Sequence, residues 1–122
     1  MESVGVPCCI HFINRKLGLG REGLTHLGKG KYRSCCWLLS RDQVRSLVGG
    51  WIYLHQTKTE PSAFGGQIIA VEPGVWEHAP DQDRWAIIFQ SAREAQGQAW
   101  RGSDYSMAYT SGSVEPSLPH EL

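Results

Sequence analysis

Trp51-Ile52-Tyr53-Leu54-His55 alternates strictly, and this alternation constrains the chain more than any other stretch. Successive side chains of a strand point to opposite faces. Trp51, Tyr53 and His55 therefore share one face, and Ile52 and Leu54 share the other. A polar turn with Pro61 follows from Thr57 to Phe64, and Gly66 to Glu72 reads as the next strand. The two strands form a hairpin-like pair.

The remaining elements are short. Val6 to Ile13 reads as a strand, Cys35 to Leu39 as another, and Arg84 to Ser91 as a third with Trp85, Ile87 and Phe89 on one face. Ser40-Arg41-Asp42-Gln43 fits a capping box, with Ser40 as N-cap and Gln43 reaching back. The helix it opens would bury Val44, Leu47 and Val48 and stop at Gly49-Gly50. Ala92 to Gly97 adds a helical turn. Between Asn14 and Arg33, Gly18, Gly20, Gly23, Gly28 and Gly30 are interleaved with Arg15, Lys16, Arg21, Lys29, Lys31 and Arg33. Glycine at this density weakens helix and strand alike, so a mobile basic loop is expected there. Pro73 to Asp83 reads as an acidic loop. The end of the chain, from Gly102, is rich in Ser, Tyr and Gly and reads as loosely docked, with 113–122 as a flexible tail.

Short strands, one capped helix and frequent turn signals predict an α+β chain, mainly β, in the form of a small closed or half-closed barrel. At 122 residues there is room for one domain, taken here as 1–112. No apolar run approaches the roughly 20 residues of a membrane helix, so no membrane partner is expected. Met1 to Gly5 do not form a basic segment ahead of an apolar one, and the expected location is cytoplasmic.

The net charge is zero but uneven: residues 1–50 carry eight Lys/Arg against three Asp/Glu, and residues 51–122 carry four against nine. A basic half of this kind hints at a face for DNA or RNA. Cys8-Cys9 and Cys35-Cys36 are adjacent pairs, unlike the spaced ligands of zinc sites, and read as buried structural thiols. The five histidines show no ligand-like spacing, so no metal and no other cofactor is expected.

Gly18-Leu19-Gly20-Arg21-Glu22-Gly23 matches a dinucleotide-binding pattern, but a second glycine cluster follows where the helix should open. Gly23 to Gly30 nearly matches a phosphate loop, with Gly30 standing where Ser or Thr should meet magnesium. Both readings are rejected, although Arg15, Lys16, Lys29 and Lys31 remain candidates for phosphate contacts. The richest polar cluster runs from His55 to Ser62 and includes Gln56, Thr57, Lys58, Thr59 and Glu60. Such a set suits ligand binding, and His55, Lys58 and Glu60 also suit acid–base chemistry. Of the five tryptophans, Trp37, Trp51 and Trp85 lie in predicted strands, where indoles serve as core or as stacking surfaces.

The order Trp37-Leu38-Leu39-Ser40, helix, Trp51 to Gln56, Gly65 to Glu72, Arg84 to Phe89 resembles the EVE domain of the PUA-like superfamily over about residues 35–89. Gln56 stands where that family usually has Ser, and a helix of about eight residues replaces its longer segment between the first two strands. The resemblance implies a small β-barrel with one or two flanking helices, related to ASCH domains, and a pocket for a modified base flipped out of DNA or held in RNA. It places Trp37, Ser40, Tyr53 and His55 at that pocket. Gln56, Lys58, Ser62 and Trp85 join them as binding candidates. The resulting expectation is a nucleic-acid or modified-nucleobase binding module. The alternatives are a small amidohydrolase acting on a modified nucleoside, with His55, Lys58 and Glu60 as its machinery, or a protein-interaction module of phage or defence-system origin.

Overall fold

The computed structural model describes residues 8–13, 16–17, 20–21, 24–74, 84–102 and 110–114. Its elements are β1 (Cys9–Ile13), β2 (Lys16–Leu17), β3 (Gly20–Arg21), β4 (Leu24–Gly28), β5 (Lys31–Leu38), α1 (Arg41–Leu47), β6 (Trp51–His55), β7 (Phe64–Pro73), β8 (Arg84–Ser91), a 3-10 turn (Arg93–Ala95) and β9 (Thr110–Val114). The chain is mainly β. Seven strands form one sheet in the order β4-β5-β8-β7-β6-β1-β9, and β2 pairs with β3 separately. Every neighbouring pair is antiparallel except β1 and β6, which run parallel with His11 opposite Tyr53 and Ile13 opposite His55.

The alternation expected in β6 sets its two faces. Ile52 and Leu54 join Ile10, Phe12, Leu39, Leu47, Ile68, Ile87 and Phe89 in the larger core. Trp51 and Tyr53 face the other way, into a smaller cluster with Cys9 and Ala95. Phe12 of β1 and Trp37 of β5 stack with ring centroids 4.0 Å apart. Three strands separate β1 from β5 in the sheet order, so the sheet curls until its inner face packs on itself. Among the described residues no pairing joins the edge strands β4 and β9, and the sheet is open.

The helix carries the expected capping box, with both Ser40–Gln43 bonds formed. Leu47 is buried, but Val48 is 49% exposed. The backbone leaves the helix at Val48 in an extended conformation, which turns that side chain away from the core.

The basic stretch before residue 34 is not a loop throughout. Leu24–Gly28 pairs with β5, and Lys29 and Gly30 take φ of 54° and 78° at the turn. Two positive-φ residues are what a tight two-residue hairpin demands. The glycines here serve turn geometry, and the strand hydrogen bonds come from β5. Strand β4 also stands where a dinucleotide motif would need a helix. Likewise, the chain end expected to be loosely docked contains β9, which pairs with β1 and reaches Val114. The predicted acidic loop lies outside the described residues beyond Gly74.

Cys9 is a buried thiol as expected and Cys8 is a half-buried one, but Cys35 and Cys36 are joined to each other by a disulfide. They fall where the pairing of β5 with β8 shifts register between Ser34 and Trp37. That break takes both residues out of the regular strand pairing. Gly66 marks another close approach: a Cβ there would collide with the backbone carbonyl of Gln90 on β8.

Candidate functional site

The parallel pairing of β1 with β6 brings two histidines together on the face opposite the main core. His11 and His55 are both fully buried, and His11 Nδ1 lies 2.7 Å from His55 Nε2. His55 Nδ1 lies 3.0 Å from the Glu60 carbonyl oxygen. A carbonyl only accepts, so the His55 Nδ1 carries the proton. Neutral His55 then presents Nε2 as an acceptor, and His11 donates to it from Nδ1. This leaves His11 Nε2 as a lone pair. That buried nitrogen has no hydrogen-bond partner among the described residues.

The surroundings favour the neutral forms. Burial, with smaller contributions in the same direction from His55 and Arg101, pushes the His11 imidazole down to about 3. Burial also lowers His55, against the opposing effect of its bond to the Glu60 carbonyl. A charged imidazole taken out of water without a counter-charge is strongly disfavoured.

Aromatic rings enclose the pair. Tyr53 stacks on His11 at 4.6 Å, and Trp100 sits 5.7 Å from His11 and 5.2 Å from His55. Lys58 Nζ lies 5.8 Å from the centre of the Trp100 ring, and the Arg101 guanidinium carbon lies 6.0 Å from that of Tyr53. The combination is a flat aromatic setting with a buried acceptor and two cations alongside.

Local backbone features hold these groups. β9 carries a bulge opposite His11, with Ile10 paired to Ser113 and Phe12 to Thr110. Gly112 takes φ 72° there. The His11 amide N–H donates instead to Ser111 Oγ at 2.9 Å. On the other side Ser62 is buried and donates from Oγ to the Ala95 carbonyl at 2.5 Å. This ties the loop after β6 to the segment that leads to Trp100.

The sequence candidates are distributed unevenly. Tyr53, His55 and Lys58 come together at this site. Gln56 is half-buried on the adjoining loop. Glu60 contributes its backbone carbonyl, while its carboxylate is on the exposed side and accepts from Thr57 Oγ1 at 3.3 Å. Ser62 acts as the clamp just described. Trp37 and Trp85 pack against the main core, their indole N–H groups donating to Ser34 Oγ at 2.9 Å and to the Leu39 carbonyl at 3.2 Å. Ser40 is the exposed helix cap. Lys29 and Lys31 are exposed on the β4–β5 hairpin. Lys16 lies in β2, and Arg15 lies outside the described residues.

His11, Trp100, Arg101 and Ser111 escaped the sequence reading. For His11 there was a signal: a lone imidazole sits between Ile10 and Phe12, on the face their alternation leaves for something other than the main core. Trp100 lies in irregular chain after the 3-10 turn, where no periodicity points to it. Among the described residues no group of three or more His, Cys, Asp or Glu is placed to hold a metal ion, and no helix is long and apolar enough to cross a membrane.

Comparison of the chain with protein-family models, with curated proteins and with solved structures returns no match.

Proposed function

We propose that this chain is a nucleic-acid binding module that receives a single base, modified or not, at the site around His11, Tyr53, His55 and Trp100. Its curled sheet is read as a PUA-like barrel of the EVE or ASCH kind. The observation that carries the proposal is the half-buried Trp100 ring, with the His11 and His55 imidazoles 5.7 Å and 5.2 Å from it and the Lys58 ammonium over its face. An indole in that setting offers a base a stacking surface, and the cations Lys58 and Arg101 suit the phosphates on either side of it. Lys29 and Lys31, exposed on their hairpin, and the basic residues Arg15 and Lys16 extend the contact along the backbone.

Titration of labelled oligonucleotides at several salt concentrations tests this reading. Trp100→Ala should weaken binding by about 1–3 kcal/mol, the usual range for one base–aromatic stack. Lys58→Ala should reduce the salt slope by about one, and the Lys29→Ala/Lys31→Ala pair by about two. No binding to any single-stranded or duplex DNA or RNA would overturn it.

One observation favours an amidohydrolase as a second reading. The Glu60 carbonyl, His55 and His11 form a hydrogen-bonded series ending in a lone pair, an arrangement that can hold and orient a water molecule. Under this reading neutral His11 accepts a hydrogen bond from the attacking water and orients it, and Lys58 rather than the outward Glu60 carboxylate stabilises developing negative charge. Turnover of acylated nucleosides that His11→Gln and Lys58→Ala both abolish would support it, and no turnover across the panel would remove it.

A further inference from the structure

Resting on the nucleic-acid reading above, we infer that His11 Nε2 is the atom that reads the bound base, and that it selects a base edge bearing an amino group.

The direction of the hydrogen bonds supplies the argument. The Glu60 carbonyl fixes the His55 proton on Nδ1, and His55 in turn fixes the His11 proton on Nδ1. His11 Nε2 is therefore committed to accepting. It is buried, and it has no partner among the described residues. The matching ligand group is a donor. Lys58 and Arg101 both stand against the rings of the site, a setting that favours a neutral donor over a cationic one. The one acidic side chain of the adjoining loop, Glu60, is exposed and bonded to Thr57. A neutral donor fits beside these two cations better than an ammonium group or a metal ion does. Tyr53 lies nearly parallel to the His11 ring, with 27° between the planes, so the imidazole is held flat and its lone pair has one fixed direction. A planar ring with an exocyclic N–H₂, as on adenine or cytosine, meets these requirements. A keto edge sets acceptor against acceptor.

Bases differing only in that amine provide the test. Four oligonucleotides are identical except for one central nucleoside: adenine against unsubstituted purine, and cytosine against pyrimidin-2-one. A fifth carries an abasic position. At least one amino-bearing oligonucleotide should bind on the order of tenfold more tightly than its amine-free partner, since losing that group leaves a buried acceptor unpaired. His11→Phe should erase the preference between the two members of each pair. In the unmodified protein, the ¹⁵N resonance of His11 Nε2 should show an unprotonated nitrogen that shifts when the amino-bearing probe is added. This second readout does not depend on the variant folding. Equal affinity within both pairs, with every base-bearing probe bound more tightly than the abasic one, would overturn the inference and leave the nucleic-acid reading standing. A protonated His11 Nε2 in the free protein would also overturn it. Failure of all five probes to bind would remove the nucleic-acid reading and the inference together.

Discussion

Ser62 and Gln98 bond to each other in both directions: the Ser62 amide donates to the Gln98 carbonyl at 2.8 Å, and the Gln98 amide donates to Ser62 Oγ at 2.9 Å. The same hydroxyl donates to the Ala95 carbonyl. Ser62→Ala keeps the backbone bond and removes both hydroxyl bonds, leaving one buried carbonyl and one amide without a partner. The expected loss is about 1–3 kcal/mol in chemical denaturation. Trp100 lies two residues beyond Gln98, so its fluorescence should shift towards that of a more hydrated indole. An unchanged spectrum in a destabilised variant would show that the clamp does not position the ring.

The histidine pair makes stability depend on pH. Both imidazoles have lower pKa values folded than the ordinary 6.5. Below 6.5 the unfolded chain takes up protons that the folded chain refuses. Their contribution is thus fully present above pH 6.5 and is lost as the pH falls towards about 3, where folded His11 itself titrates. From pH 8 to pH 5 the loss attributable to His11 is about 2 kcal/mol. Guanidinium melts at the two pH values measure it, and His11→Gln should flatten the dependence by a similar amount. Equal stability at both pH values would contradict a neutral pair.

Ser111→Ala removes the hydroxyl that receives the buried His11 amide. The bulge in β9 leaves that amide paired with this side chain. Destabilisation of about 1–3 kcal/mol is expected. Amide hydrogen exchange at His11 should accelerate more than at Ile52 or Leu54, whose environment the substitution does not touch.

Gly66→Ala should cost more than a typical surface change. The added methyl would meet backbone of Gln90 and Ser91 on β8, which cannot rotate away as a side chain can. Overpacking of this kind costs about 1–3 kcal/mol, and a drop in thermal midpoint relative to Gly97→Ala, where nothing lies within 4 Å, would read it out. Gly97 has φ of 78°, so the control reports the cost of backbone strain alone.

Local patterns were legible in the sequence where one element's own residues decide its state. Ser40 and Gln43 announced the helix start, and Trp51 to His55 announced both faces of β6. The hairpin built on Lys29 and Gly30 was missed because β4 is held by its pairing with β5, while its glycines by composition alone suggest a loop. The candidate site was half legible. Tyr53, His55 and Lys58 follow one another closely in the chain, whereas His11 and Trp100 reach them only through tertiary structure. Trp37 and Trp85 were ambiguous because an indole in a strand has the same pattern whether it fills a core or lines a pocket.

The parallel pairing of β1 with β6 has a consequence for how the chain acquires its site. The His11–His55 contact spans 44 positions, and the His11–Ser111 contact spans 100. Contacts this remote in sequence bear a large loop-closure cost and slow folding. The hairpins β4–β5 and β6–β7 need only nearby chain, so they are free to assemble earlier. A truncated chain from Lys31 to Ser91 would contain four consecutive strands of the sheet and lack His11, Trp100 and Ser111 entirely. The imidazole pair thus marks a late stage of assembly: the two rings meet only once β1 has come home beside β6, and Ser111 reaches His11 only once β9 has closed on β1.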